Sequence, residues 1–203
     1  LHPVGAVADL FPNRLEDLRR PARLLGPLRR HELRGEPLGP RPVAARRHDG
    51  ERGHEETGAG EGKGYTVNLP MAYGMNDDDY VFAFQEVLVP IADLYRPDII
   101  LVSAGFDTYH ADPLGGMSVT ESGFSELTRI ILDIARRCCN SRVLFALEGG
   151  YDPPGLARCV KAVVTMMKGA PEFAYERKHG PCRGIVGLVK DVRKELSRYW
   201  GSF

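Results

Sequence analysis

Three short runs hold the side chains of this chain that could do chemistry. Ser103-Ala104-Gly105-Phe106-Asp107 is followed closely by His110-Ala111-Asp112-Pro113-Leu114-Gly115-Gly116, and Glu148-Gly149-Gly150-Tyr151-Asp152 comes later. The first and last each come directly after a short apolar run rich in β-branched residues. In a parallel α/β sheet that place is the carboxyl end of a strand, where ligands bind. A carboxylate at one strand end and a phenol at another would set a metal ligand beside a hydrogen-bond donor. Such a pair suits metal-assisted hydrolysis of an amide.

The intervening segments predict the elements that must position these loops. Tyr65 to Leu69 reads as a strand closed by Pro70. Asp77, Asp78 and Asp79 open a helix to about Leu94, their charges placed where the helix dipole favours them. Its apolar stripe is Phe82, Phe84, Val87, Leu88 and Ile91, with Pro90 placed to kink it. Asp98 to Ser103 reads as a buried strand, since Ile99-Ile100-Leu101-Val102 is continuously apolar. Thr120 caps a helix to about Cys138. Arg142 to Leu147 is the next strand, and Pro154 starts a helix to about Lys168. Gly180 to Gly184 reads as a loop. Leu188 to Trp200 is an amphipathic helix with Leu188, Val189, Val192, Leu196 and Tyr199 on one face. Strands alternating with helices call for a parallel sheet with right-handed crossovers.

From about Glu55 to Lys168 the chain resembles the zinc-dependent histone deacetylase family, closest to its class II and bacterial acetylpolyamine amidohydrolase-like members. The matching pieces are the stretch Thr57-Gly58-Ala59-Gly60-Glu61-Gly62-Lys63-Gly64-Tyr65-Thr66-Val67-Asn68-Leu69-Pro70, the Asp107 loop, the Asp-Pro-Leu-Gly-Gly run and the Glu-Gly-Gly-Tyr-Asp run. Any one of them is weak alone; four in order are specific. The resemblance implies the arginase/deacetylase fold, a three-layer α/β/α sandwich with a parallel sheet, of which this chain holds the carboxyl-terminal part.

It also implies roles. The family holds Zn2+ with two Asp and one His, and Asp107 falls on the later Asp position; standing alone, it would read as a cap on its turn. Tyr151 matches the tyrosine that donates to the substrate carbonyl as it becomes an oxyanion, and family members with His there are poor deacetylases. Gly149 and Gly150 let the backbone turn and approach the substrate closely. Leu114 matches a position lining the channel for the acyl chain, a role compatible with core packing. The implied substrates are an acetylated lysine side chain or an acetylated polyamine. His110 reads as a loop histidine. Asp112, before Pro113, reads as fixing a turn through its side-chain oxygen. The glycines at 58, 60, 62 and 64 are structural, since no Gly-Lys-Ser/Thr follows them.

Composition sets bounds. A chain of 203 residues, 43% hydrophobic, can build one ordinary core. The formal net charge is zero, so nothing global draws it to nucleic acid or membrane. No apolar run approaches the roughly 20 residues of a membrane span, and no secretory signal opens the chain. Cys138, Cys139, Cys159 and Cys182 have no zinc-site or disulfide spacing, and read as idle thiols of a cytoplasmic protein.

Residues 1–54 differ from the rest, with 11 Arg, no Lys and 7 Pro, while the remainder has 10 Arg and 6 Lys. Leu10, Leu15, Leu18, Leu24, Leu25 and Leu28 give only a broken helical period, interrupted by Pro12, Pro21 and Pro27. Three readings are compatible with this segment: a basic arm for acidic partners, a disordered solvated tail, or the product of a frameshift or truncation in a GC-rich gene. The last also accounts for a resemblance that begins in mid-domain.

The family's His-His pair and Asp-x-His are absent from the sequence; His48-Asp49 has the wrong order. A lone carboxylate binds zinc weakly, and an activated water would lack its base. The expectation is therefore a chain carrying part of an active site and inactive by itself. Two readings follow: a deacetylase of acetylated lysine side chains or small acetylated amines, represented here by a carboxyl-terminal fragment, or an inactive remnant serving as a binding or assembly module. Stoichiometric zinc with turnover in this chain would instead point to an oligomer whose second chain completes the site. A nucleotide-binding reading is disfavoured, since no Gly-x-Gly-x-x-Gly follows a strand.

Overall fold

The computed structural model describes residues 53–203, so all but the end of the Arg- and Pro-rich segment, with the readings made for it, lies outside the described residues. The first helix starts where its acids predict. The Asn76 side chain accepts hydrogen bonds from the Asp78 and Asp79 amides, and Asp79 accepts from the Asn76 amide, a reciprocal cap. Helix α1 (Asp77–Ala83) passes into a π turn (Phe84–Leu88), in which the Val89 amide reaches back to the Phe84 carbonyl, and then into α2 (Val89–Tyr95). The break expected at Pro90 is this widened turn just before it. Proline has no N–H for the Glu86 carbonyl and its ring would press on that carbonyl in a regular helix; the extra residue of the π turn separates them.

Strands β1 (Ile100–Ala104) and β2 (Val143–Leu147) pair in parallel, with Ile100 opposite Val143 and Ala104 opposite Leu147. Between them runs α3 (Glu121–Cys139), and after them α4 (Pro153–Met167) and α5 (Arg183–Trp200). Thr120 caps α3 by accepting the Gly123 amide, and donates its own hydroxyl at 2.6 Å to Asp77, tying α3 to α1. Asp152 caps α4 ahead of Pro153 and Pro154.

Three expectations are corrected. Tyr65 to Leu69 is not a strand: the Tyr65 and Thr66 amides donate to Gly62 and Thr57 in the glycine-rich loop, and Leu69 is buried with Met71 and Met75. The β1 segment is not buried on both sides. Ile100, Val102, Val143 and Phe145 face a core shared with α3, whereas the paired Leu101 and Leu144 are exposed, because among the described residues helices cover only one face. Finally, α5 begins at Arg183, inside the expected loop. Ile185 extends its buried stripe of Val189, Val192 and Leu196, while Tyr199 stays at the surface.

That stripe packs on Val87 and Ile91, so the π turn and α2 lie between two cores. The α1 acids secure the approach to α5. Asp78, 5% exposed, accepts hydrogen bonds from the Tyr175 hydroxyl and from the amides of Lys178, His179 and Gly180, and Asp79 accepts from the Cys182 amide. Burial by itself would raise the Asp78 pKa; the Tyr175 hydroxyl and the three amides outweigh it and hold the carboxyl below its ordinary value. A carboxyl lowered on folding contributes fully above its unfolded pKa of about 4, and progressively less as pH falls through the depressed folded value. Asp78→Asn is thus expected to cost on the order of 3 kcal/mol at neutral pH. The difference from wild type should shrink below pH about 4, as urea melts at the two pH values would record.

Candidate active site

The parallel register brings the two chemistry-bearing loops out side by side. The Phe106 amide donates to the Gly149 carbonyl at 2.8 Å and the Glu148 amide to the Ala104 carbonyl at 3.1 Å, so pairing continues one step past the strands. Phe106 anchors its loop by packing on Phe124, ring centroids 5.0 Å apart.

Asp107 is 5% exposed and lies directly against Gly149, where a Cβ would stand 2.7 Å from its Oδ2. Its Oδ1 is buried with no hydrogen-bond partner. Burial raises the Asp107 pKa; the charge of Asp112 adds to it, while the backbone amides of Asp107 and Thr108 oppose it without outweighing it. Burial, then the nearby charges of Asp107 and Asp79, also pushes the Tyr80 phenol far up, so it stays protonated. A buried carboxylate oxygen with no partner from the protein is costly. It is the kind of atom that a cation would satisfy. Gly149→Ala is expected to force the Asp107 side chain aside and to destabilise the protein by about 1–3 kcal/mol in a denaturant melt.

Asp112 does more than close a turn. Its Oδ1 accepts from the Leu114 and Gly115 amides at 2.9 and 3.1 Å, as expected, and its Oδ2 accepts from the Tyr151 amide at 2.6 Å. That second link crosses 39 residues, so no local sequence signal could have revealed it. Gly115 is packed against the Asp107 carbonyl too tightly for any side chain. Gly150 adopts φ 137°, and a Cβ there would stand 2.9 Å from Leu156.

Tyr151 and Leu114 are 56% and 55% exposed, flanking the Asp112 junction. Leu114 is therefore not core packing. His110 is exposed and its ring lies tilted against that of Tyr109, centroids 4.2 Å apart, a loop position as expected. Beneath the loops, the buried Tyr109 donates to Glu121, and Arg158 donates to both, joining α3 and α4 to the Asp107 loop. This support was not foreseen, because its members stand far apart in the chain. The cysteines are free thiols, and burial pushes Cys159 up to about 12.

A zinc centre needs three or four protein ligands. The described residues contain no group of three His, Cys, Asp or Glu side chains able to hold a metal. Asp107 has the chemistry of a single ligand, and the described residues do not make a zinc site by themselves.

Comparison with known proteins decides the family. The Histone deacetylase domain family matches residues 48–167. The chain belongs to the histone deacetylase family. Histone deacetylase 15 of Arabidopsis thaliana is 35% identical over 168 residues, covering 79% of this chain and 30% of that protein. A human polyamine deacetylase is 36% identical over 149 residues, 73% of this chain and 22% of its own length. The solved structure of the histone deacetylase Clr3 superimposes with a TM-score of 0.67 at 32% identity, over 72% of this chain and 24% of that one. The chain thus spans under a third of each of these proteins. Its fold is the arginase/deacetylase α/β/α fold, represented by a small, partial parallel sheet. No helix among the described residues is long and apolar enough to cross a membrane.

Proposed function

We propose that this chain supplies the carboxyl-terminal part of an active site that hydrolyses acetyl-amides, on an acetylated lysine side chain or an acetylated polyamine. The observation that carries this reading is the buried, unpartnered Oδ1 of Asp107 beside the loop that presents Tyr151. Asp107 is one ligand of the Zn2+ that the family generally uses, the others coming from outside the described residues. The Tyr151 hydroxyl donates to the acyl oxygen as negative charge builds there. Gly149 and Gly150 keep side chains out of the path of the acyl group. Leu114 lines the approach for its aliphatic stem. Both histone and polyamine deacetylases stand among the relatives, which supports the substrate class.

The test is zinc content and turnover of the 203-residue chain, on an acetyl-lysine peptide and on an acetylated polyamine. The expected result is substoichiometric zinc and no turnover for the chain alone, with both restored when the remainder of a deacetylase domain is supplied. Stoichiometric zinc with turnover in the chain alone would mean that the ligand set is completed within it or by a second copy. Failure of both to appear even with the domain completed would leave the binding-module reading.

A further inference from the structure

Three features of the site share one side chain. Asp112 is 9% exposed, and both its oxygens are committed. Oδ1 holds the amides of Leu114 and Gly115, which form the turn that rests on the Asp107 carbonyl. Oδ2 holds the amide of Tyr151 at 2.6 Å, on the other strand's loop. Tyr151 is 56% exposed, so its placement leans on its backbone. The Glu121–Arg158–Tyr109 network braces the loop from below but makes no bond to Tyr151 among the described contacts.

We propose that Asp112 is the positioning residue of this site, its carboxylate fixing the Tyr151 backbone against the Leu114–Gly115 turn and so setting where the phenol stands relative to Asp107. The inference rests on the proposed role of Tyr151. A bond from an amide to a buried carboxylate is among the stronger hydrogen bonds, and this one joins the two loops 39 residues apart. Asp112 acts through Tyr151 and touches no reacting atom.

Asn at this position separates the two bonds. Its carbonyl oxygen can keep the Leu114 and Gly115 amides, which preserves the turn, but its NH2 group then faces the Tyr151 amide, donor against donor. In the 203-residue chain, Asp112→Asn is expected to speed hydrogen exchange of the Tyr151 amide about tenfold or more while Leu114 and Gly115 stay protected. In the zinc-competent enzyme containing this chain, the same change is expected to lower kcat about 10²-fold, the order seen when a reacting group is misplaced by an ångström, with KM nearly unchanged. Added to Tyr151→Phe, it should lower kcat no further, because the two act through one hydroxyl.

A Tyr151 amide as protected in Asp112→Asn as in wild type would overturn the proposal. So would losses that multiply in the double variant, or Leu114 and Gly115 exchanging as fast as Tyr151, since the residue would then act as a general structural support. If Tyr151→Phe alone leaves kcat unchanged, the role given to Tyr151 fails instead, and the exchange data still decide whether Asp112 holds that loop.

Discussion

Replacing Tyr151 with Phe is expected to lower turnover of an acetylated lysine peptide by about 10²–10³-fold in the zinc-competent enzyme while leaving its stability almost untouched. The two halves of that expectation have separate causes. The ring is 56% exposed, and removing one oxygen from it opens no cavity and strands no buried partner. The backbone amide that ties this residue to Asp112 is unaffected, so the loop stays where it is. In the role proposed for Tyr151, what is lost is a donor to an oxygen that becomes charged only as the carbonyl is attacked. The ground state makes little use of it, so KM should hold and kcat should fall. Steady-state kinetics with a parallel thermal melt separates this outcome from a folding defect. A variant with normal kcat would remove Tyr151 from the chemistry.

Asp107→Asn is expected to act on the metal instead, stripping it from the enzyme without harming the fold. Losing a ligand outright should weaken zinc binding by more than about 100-fold, the upper end of what disturbing a ligand's supporting partner costs. In the metal-free protein the same change removes a buried charge whose Oδ1 has no partner. The metal-free variant should therefore melt no lower than wild type and gain on the order of 1 kcal/mol. Equilibrium dialysis against zinc, with melts of the metal-free proteins, reads both effects. A marked loss of stability with zinc binding intact would make Asp107 a structural turn residue.

Much of the frame was legible because local chemistry wrote it. The Asp77–Asp79 run, Thr120 and Pro154 marked helix starts, while the caps made by Asn76 and Asp152, which accept from amides two or three residues on, came only with the structure. The two parallel strands were legible from their apolar runs. Tyr65 to Leu69 misled because a short apolar stretch has the same pattern whether it pairs with a strand or drops a Leu into a core. Here its backbone bonds to the glycine loop instead, and Trp200 fastens that loop by donating to the Gly64 carbonyl. The start of α5 was missed for a related reason. What fixes its entry is the bond from the Cys182 amide to Asp79, 103 positions away. The site divides the same way. Asp107, Leu114 and Tyr151 stand in contiguous motifs, while the Asp112 bond between loops and the Tyr109–Glu121–Arg158 brace exist only after folding.

The π turn at Phe84–Leu88 carries one more consequence, for how this sequence can change. Each residue of a regular helix advances the direction of its side chains by roughly 100°. The turn therefore acts as a phase shifter: it lets Val81 and Ala92 serve the core under β1 while Val87 and Ile91 serve the core under α5. Removing a single residue between Phe84 and Leu88 would rotate everything downstream by that angle. Ile91 would swing out of one core and nothing of the right shape would replace it. Point substitutions along this helix can be absorbed one side chain at a time, but a one-residue deletion there would be felt by both cores at once.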